Sequence, residues 1–301
     1  MIESFLTVGR QIITLYLLMA VGYVLGKLKL IDDHGAASMS TLVMYIVSPC
    51  MLLVAFQRPI EQDTLHNFYV VVAVSLLLHV AFIVLSRLMI HDTDRHRRNL
   101  LLFAAVFSNC GFMGYPIILA INPDWMIYAV AYNIAYLLVS WTVGVSLFQG
   151  RQNVSLKRVL LNPNVIAAFL GFAVFCLNIT LPDILSQTMS LIGGLTTPLS
   201  MLLIGTRISG IRLSELRDKD YHITAALRLI VLPLMLYVLL LPLHLDPAVW
   251  STLYLLTAMP CGTLSAMQAE LYGGDVRFAA RAIAYSTLLS LVTVPIVSML
   301  L

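Results

Sequence analysis

Apolar runs of about 17–25 residues, each closed by a short polar cluster, recur ten times along this chain. They cover residues 5–28, 39–56, 67–89, 99–121, 125–147, 163–181, 187–206, 221–241, 248–271 and 278–301, to within a few residues at each end. At about 1.5 Å per residue a helix of that length crosses a bilayer core. The connections are short and leave no room for a soluble domain. The pattern predicts an all-α integral membrane protein of ten transmembrane helices. The first run carries Glu3 and Arg10, where a signal peptide would be purely basic, and no small-residue cleavage site follows it. It is expected to be a retained helix.

The same pattern is written twice. Residues 17–28 recur near 166–177, with Gly22 matching Gly171. The stretch MSTLVMYIVSPCMLL from Met39 recurs as MSLIGGLTTPLSMLL from Met189, so Pro49 matches Pro198. SNCG at Ser108–Gly111 matches MPCG at Met259–Gly262, and AYN at Ala131–Asn133 matches AYS at Ala284–Ser286. Residues 1–150 and 151–301 are therefore read as two five-helix repeats. Paired halves whose helices are interrupted at corresponding positions point to a secondary transporter with its site at the interruptions.

Charge sets the expected orientation. Of 18 Lys and Arg, fifteen lie in or beside the five odd-numbered connections: Lys27, Lys29, Arg87, Arg95, Arg97, Arg98, Arg151, Lys157, Arg158, Arg207, Arg212, Arg217, Lys219, Arg277 and Arg281. The even-numbered connections hold only Arg58. Basic loops stay cytoplasmic, which places both termini outside the cell membrane. Five spans per half make the second repeat enter the membrane inverted. The chain is 60% hydrophobic and 11% charged, against roughly 25% charged in soluble domains. Its formal charge of +3 follows from the loop asymmetry and calls for no nucleic-acid partner. The cluster HDTDRHRR at His91–Arg98 is read as a solvated turn meeting anionic headgroups of the lipid bilayer rather than as a phosphate or metal site.

The chemistry is expected at the interruptions. Span four holds Gly111, Gly114 and Pro116 within six residues, and span nine has Pro260 and Gly262 in the equivalent place. Glycine frees the backbone, and proline removes a donor and clashes with the preceding turn. Opening a helix in hydrocarbon leaves N–H and C=O groups unpaired, each costing several kcal/mol, unless they line a polar cavity. Each interruption creates a half-helix N-terminus carrying about half a positive charge. Two such ends brought together suit a carboxylate. The bland alternative is that these residues only kink packed helices.

Asn109, directly before the first interruption, is the leading side chain for substrate. Asn133 and Ser286 occupy equivalent places in spans five and ten, either facing the crossover or bonding a neighbouring helix backbone. His79 in span three and Arg228 in span eight lie 149 residues apart. An ionisable group at depth is a functional hypothesis by default, although Arg228 also stands near enough to the cytoplasmic end to snorkel. Glu270 near the end of span nine either titrates with a coupling proton or sits at the interface. Cys50, Cys110, Cys176 and Cys261 have no spacing for zinc or a redox dithiol. Cys110 and Cys261 flank the interruptions, where small side chains let helices approach. No metal or cofactor is expected.

VSPCMLLVAF at Val47–Phe56, SNCGFMGYPI at Ser108–Ile117, AMPCGTLSAMQAELYGGD at Ala258–Asp275 and AYSTLLSLVTVPIV at Ala284–Val297 resemble the motifs of the auxin efflux carrier family. That family includes the plant PIN-formed proteins and bacterial malate and malonate permeases. The resemblance runs the length of the chain. It implies two inverted five-helix repeats, similar to the bile acid sodium symporters, with spans four and nine broken and crossing mid-membrane. It also implies organic-anion substrates, such as malate, malonate or auxin-like acids. On it the substrate-binding set is Asn109, Gly111, Phe112, Gly114, Pro116, Asn133, Pro260, Cys261, Gly262 and Ser286. Where plant auxin carriers have a second asparagine this chain has Phe112, its span-four proline is displaced to Pro116, and no long central loop is present. A small carboxylate fits better than auxin.

The expected function is secondary active transport of a small organic anion by alternating access, with a proton as the coupling ion in view and a homodimer as the assembly in view. A channel or substrate sensor of the same fold is the alternative, but a channel needs a polar stripe on several spans and polar residues here gather at the interruptions. An intramembrane enzyme would need a zinc, Ser–His or paired-acid constellation, and none is written in the chain. The topology is tested by cysteines placed at Glu61 and Arg97. An impermeant thiol reagent should label position 61 from outside and position 97 only after permeabilisation; labelling of both from one side would refute the inverted arrangement.

Overall fold

The computed structural model describes residues 2–57, 62–91, 94–149, 157, 160–210, 218–272 and 274–298. Glu61, Arg58 and the side chain of Glu270 lie outside the described residues. The described residues are helical, and their one β pairing is an isolated antiparallel bridge between Ser108 and Cys261. In chain order the helices are α1 Ile2–Lys27, α2 Asp33–Ala55, α3 Gln62–Met89, α4 Arg95–Val106, α5 Cys110–Ile121 and α6 Pro123–Phe148. They continue as α7 Pro163–Cys176, α8 Asp183–Ser209, α9 Lys219–Leu243, α10 Pro247–Ala258, α11 Leu264–Tyr272 and α12 Val276–Ser298. Six of them, α2, α3, α6, α8, α9 and α12, are long and apolar enough to cross a membrane. The chain is a multi-pass membrane protein.

The sequence repeat is reproduced in backbone detail. Lys29 after α1 and Asn178 after α7 both take left-handed φ, 57° and 50°. Leu30 N bonds Leu25 O at 3.0 Å, and 149 residues on Ile179 N bonds Val174 O at 3.0 Å. Lys29 N to Gly26 O and Asn178 N to Phe175 O repeat the second bond, each at 3.0 Å. This is one Schellman-type ending written twice, closing the last carbonyls of each helix.

Prolines shape the long helices in a recurrent way. A π turn stands immediately ahead of Pro49 (Val43–Val47), Pro116 (Cys110–Gly114) and Pro233 (Leu227–Val231). A proline ring clashes with the carbonyl four residues back and offers no N–H. Widening the turn by one residue relieves the clash while the neighbouring amide still bonds, as Ser48 N does to Val43 O and Leu232 N to Leu227 O. In α8 the same relief takes the form of a break at Leu195, ahead of Pro198.

Packing divides the chain into two compact units, and each draws on both sequence repeats. The first comprises Met1–Val71, Gly111–Ile134 and Lys157–Gly210. In it α1 lies along the Thr196–Ser209 part of α8 at backbone contact. A Cβ on Gly205 would stand 2.7 Å from Tyr23 N and 2.9 Å from Met19 C. The hydroxyl of Thr206 donates across the seam to Gly22 O at 3.1 Å and to its own helix at Leu202 O, 3.0 Å. Small residues at such a seam replace the hydrophobic drive that lipid cannot supply. The end of α2 packs on α7 and on the Asp183–Gly194 part of α8. There Phe56 meets Phe68, Phe172 and Phe175, and Phe68 stacks on Phe172 at 4.8 Å.

The second unit comprises Val72–Cys110, Ala135–Leu156 and Ile211–Leu301. Its apolar core gathers Leu101, Ala105, Leu147, Leu227, Ala279 and Ala282 among others. Arg97, in the cluster read as a turn meeting headgroups, pairs with Asp218 and, at 2.6 Å, with Asp220, and lies over the Phe278 ring at 4.6 Å. Partial burial pushes the Asp218 carboxyl up, but the Asp220 N–H and the Arg97 guanidinium outweigh it and hold it below the usual carboxylate range.

The α1–α8 seam gives a direct test. Gly205→Ala should lower stability by about 1–3 kcal/mol through backbone overlap, read as a fall in the thermal midpoint in detergent. Gly194→Ala, with nothing within 4 Å of its Cβ position, should leave the midpoint unchanged.

Candidate functional site

The helix interruptions of the second unit meet at one place. After Val106 the chain leaves helical geometry at Phe107, with φ −96° and ψ 108°, and after Ala258 it does so at Met259, with φ −66° and ψ 150°. The two extended stretches run antiparallel. Asn109 N donates to Pro260 O at 2.7 Å, and Gly262 N donates to Phe107 O at 2.8 Å. Ser108 and Cys261 face each other between these bonds, so their own amides point outward from the pair. The Cys261 N–H then finds Ser286 Oγ at 3.0 Å, and that hydroxyl donates onward to Ile283 O at 2.9 Å. Ser286 thus holds the crossover from α12.

Residue identity explains the closeness. A Cβ on Gly262 would meet Ser108 O at 2.8 Å and Phe107 O at 3.0 Å, so only glycine allows this approach. Asn109 and Pro260 are repeat equivalents. The reciprocal of the bond between them would need an N–H on residue 260, which proline lacks. The crossover is therefore asymmetric at its centre, and proline makes it so.

Beneath it lies a buried cation. Arg228 is fully buried and does not snorkel. Its guanidinium donates to Ala105 O at 3.0 Å and Val106 O at 2.7 Å, the closing carbonyls of α4, and also to Thr257 O near the end of α10. The negative poles of two broken helices are thus gathered onto one positive side chain. The guanidinium also lies 5.8 Å from the Phe82 ring centroid. His79, the repeat equivalent of Arg228, is likewise fully buried. Its Nδ1 bonds its own helix at Ser75 O, 2.7 Å, and its ring stacks on Phe107 at 5.9 Å and meets Tyr136 edge-on. The two ionisable groups at depth accordingly both touch the crossover, one through the half-helix ends and one through the extended strand.

Asn133, Gly111, Phe112, Gly114 and Pro116 belong to the first unit. There Pro116 is buried in α5 after its π turn, Asn133 is buried in α6, Phe112 is half-buried, and the Cβ direction of Gly111 is open, with nothing within 4 Å. Asn109, Pro260, Cys261, Gly262, Ser286, His79 and Arg228 come together in the second. Ser108 was not singled out by the sequence. It is 1% exposed and its hydroxyl has no protein partner, and the Nδ2 of Asn109, 3% exposed, is in the same position. The repeat match SNCG/MPCG was the signal for Ser108.

A crossover of this kind can hold an anion. The C-terminal poles are neutralised by Arg228, and the N-terminus of α11, together with buried donors at Asn109 and Ser108, remains on the same structural feature. Arg228→Met should cost about 1.5–3 kcal/mol or more by stripping charged hydrogen bonds from buried carbonyls. Arg228→Lys, with one ammonium for two helix ends, should retain only part of that stability. Thermal unfolding in detergent measures both, and an unchanged midpoint for the methionine variant would remove Arg228 from the architecture proposed here.

The profile of a family described as membrane transport protein matches this chain twice, over residues 7–155 and 152–298. An uncharacterized transporter of Methanothermobacter thermautotrophicus is 24% identical over 300 residues, covering 97% of this chain and 98% of its own length. One from Methanocaldococcus jannaschii is 22% identical over 296 residues, covering 94% and 95% respectively.

Proposed function

The chain belongs to the membrane transport protein family, the auxin efflux carrier-like family whose motifs it resembles, and from that premise we propose that it carries small organic anions across the cell membrane by alternating access. The arrangement proposed is ten spans in two inverted five-helix repeats, with both termini outside and the substrate carboxylate at the crossing of spans four and nine.

The observation that carries this reading is the placement of Arg228. Broken helices offer two kinds of pole, and carbonyl ends in transporters commonly hold a coupling cation while N-terminal ends hold an anion. Here the carbonyl ends of α4 and α10 are already bonded to a guanidinium. Their negative potential is cancelled from within, and the positive N-terminal poles act on the substrate unopposed. A carboxylate gains the N–H groups at those ends and the amide of Asn109. A sodium ion has no role at these carbonyls, so the transport cycle is sodium-independent. His79 against Phe107 and Tyr136 is the proposed place for any proton to enter the cycle.

Uptake of labelled mono- and dicarboxylates into proteoliposomes tests the proposal. Replacing external sodium by choline should leave the rate unchanged. Asn109→Ala should weaken apparent affinity about ten- to hundredfold, the loss of one hydrogen bond to a charged group at roughly 1.5–3 kcal/mol. Sodium-dependent uptake, or full affinity in a normally inserted Asn109→Ala, would overturn the mechanism.

A further inference from the structure

α11 carries two polar side chains that the crossover does not use. Ser265 and Gln268 are both fully buried, and neither the Ser265 hydroxyl nor either end of the Gln268 amide has a protein partner. They stand three residues apart and so share one face of the helix. The positions on the other side, Thr263, Ala266 and Met267, are half-buried. An amide shut away from water with donor and acceptor both unbonded is costly in any protein and more so inside a membrane. A side chain kept in that condition awaits a partner.

Geometry places it close to the anion site. A helical side chain leans back over the turn on the N-terminal side of its own Cα. The Ser265 N–H bonds Gly262 O at 3.0 Å, so Ser265 stands one turn from the crossover and Gln268 about one turn beyond it, its longer side chain leaning back toward Ser265. Gly262 is bonded to Phe107 in the crossover itself. Four residues of helix, about 6 Å of rise, separate Leu264 from Gln268. With the backward lean, the amide comes within about one turn of the helix N-terminus. Ser108, across the bridge from Cys261, adds a further buried hydroxyl without a protein partner. Unpartnered buried polar groups thus stand both at the crossover, on Ser108, and on the first turns of α11 that follow it, on Ser265 and Gln268.

We propose that Ser265 and Gln268 form a second subsite, which reads a neutral hydrogen-bonding group on the substrate a few atoms from its carboxylate. The inference rests on the carboxylate reading above. A primary amide offers a donor and an acceptor side by side and carries no charge. It matches a carboxamide or hydroxyl, which both give and take hydrogen bonds. A second carboxylate at this place would be buried beside the uncharged stretch Leu264–Ala269 with no countercharge on that helix. The subsite therefore selects monoanions bearing a neutral polar end over dianions and over plain alkyl acids.

Three acids of the same four-carbon chain separate these cases: butyrate, succinamate and succinate. In competition for uptake by the reconstituted full chain, succinamate should act at about one-tenth the concentration of the other two. Gln268→Met should bring the succinamate-to-butyrate ratio close to one, and Ser265→Ala should move it the same way by a smaller factor. An unchanged ratio in both variants, or equal weakening of all three acids, would overturn the subsite, the second outcome showing that Gln268 only supports the fold. Preference for succinate in the unaltered chain would overturn it as well. If none of the three acids competes, the carboxylate reading itself fails and the subsite falls with it. Should Gln268→Met not insert, the Ser265→Ala ratio alone decides.

Discussion

Everything in the second unit depends on one constraint, that a backbone opened inside an apolar body must have its amides and carbonyls bonded somewhere. The chain meets it with three devices of different chemistry. The extended stretches bond each other at Asn109–Pro260 and Gly262–Phe107. The outward amide of Cys261 is taken by a hydroxyl of α12. The helix-end carbonyls are taken by a guanidinium. No one device suffices. The bridge alone would leave the carbonyl poles exposed, and Arg228 alone would be a buried charge without enough acceptors. Together each removes the other's penalty, which is why a fully buried arginine stands here with helix carbonyls as its partners.

The repeat explains how such a centre arises, and its divergence explains how it acts. Two copies of one half give two interruptions, two helices flanking them and two residues at the flanking position. The copies still end α1 and α7 with the same left-handed turn. They differ where chemistry is needed. One flanking position holds an imidazole and the other a guanidinium, and one strand centre holds asparagine while the other holds proline. A symmetric crossover would satisfy its own backbone on both sides. The missing N–H of Pro260 prevents that.

Much of this was legible in the chain and some was not, for physical reasons. The interruptions were visible because proline and glycine in a span contradict the need for closed hydrogen bonding. The repeat was visible through Pro49 and Pro198, and through SNCG and MPCG. Whether Arg228 snorkels was open in the sequence, since distance along a helix says how far a side chain is from the interface but not which way it faces. The pairing of Arg97 with Asp218 and Asp220 was not legible, because those carboxylates lie more than a hundred residues away. The division into two units, each drawing on both repeats, is a property of packing, and no local pattern announces it. Ser265 and Gln268 carry no local signal, because a serine and a glutamine in a span show in sequence neither their burial nor their lack of a partner.

The charge economy of the centre bears on selectivity. In a medium of low polarity an ion is held only where opposite charge or oriented dipoles already stand. Of the charged side chains in the second unit's interior, Arg228 is bonded to carbonyls, while Arg97, Asp218 and Asp220 are bonded to each other at its rim. With those charges so engaged, what the described residues of the crossover offer the proposed substrate is dipolar: the N-terminus of α11, the Asn109 amide, the Ser108 hydroxyl. Dipoles of fixed direction favour a single localised negative charge and give little to a second one placed elsewhere. In the mechanism proposed above, a site built from them binds an anion without forming a full ion pair, which leaves it free to be released on the other side of the membrane.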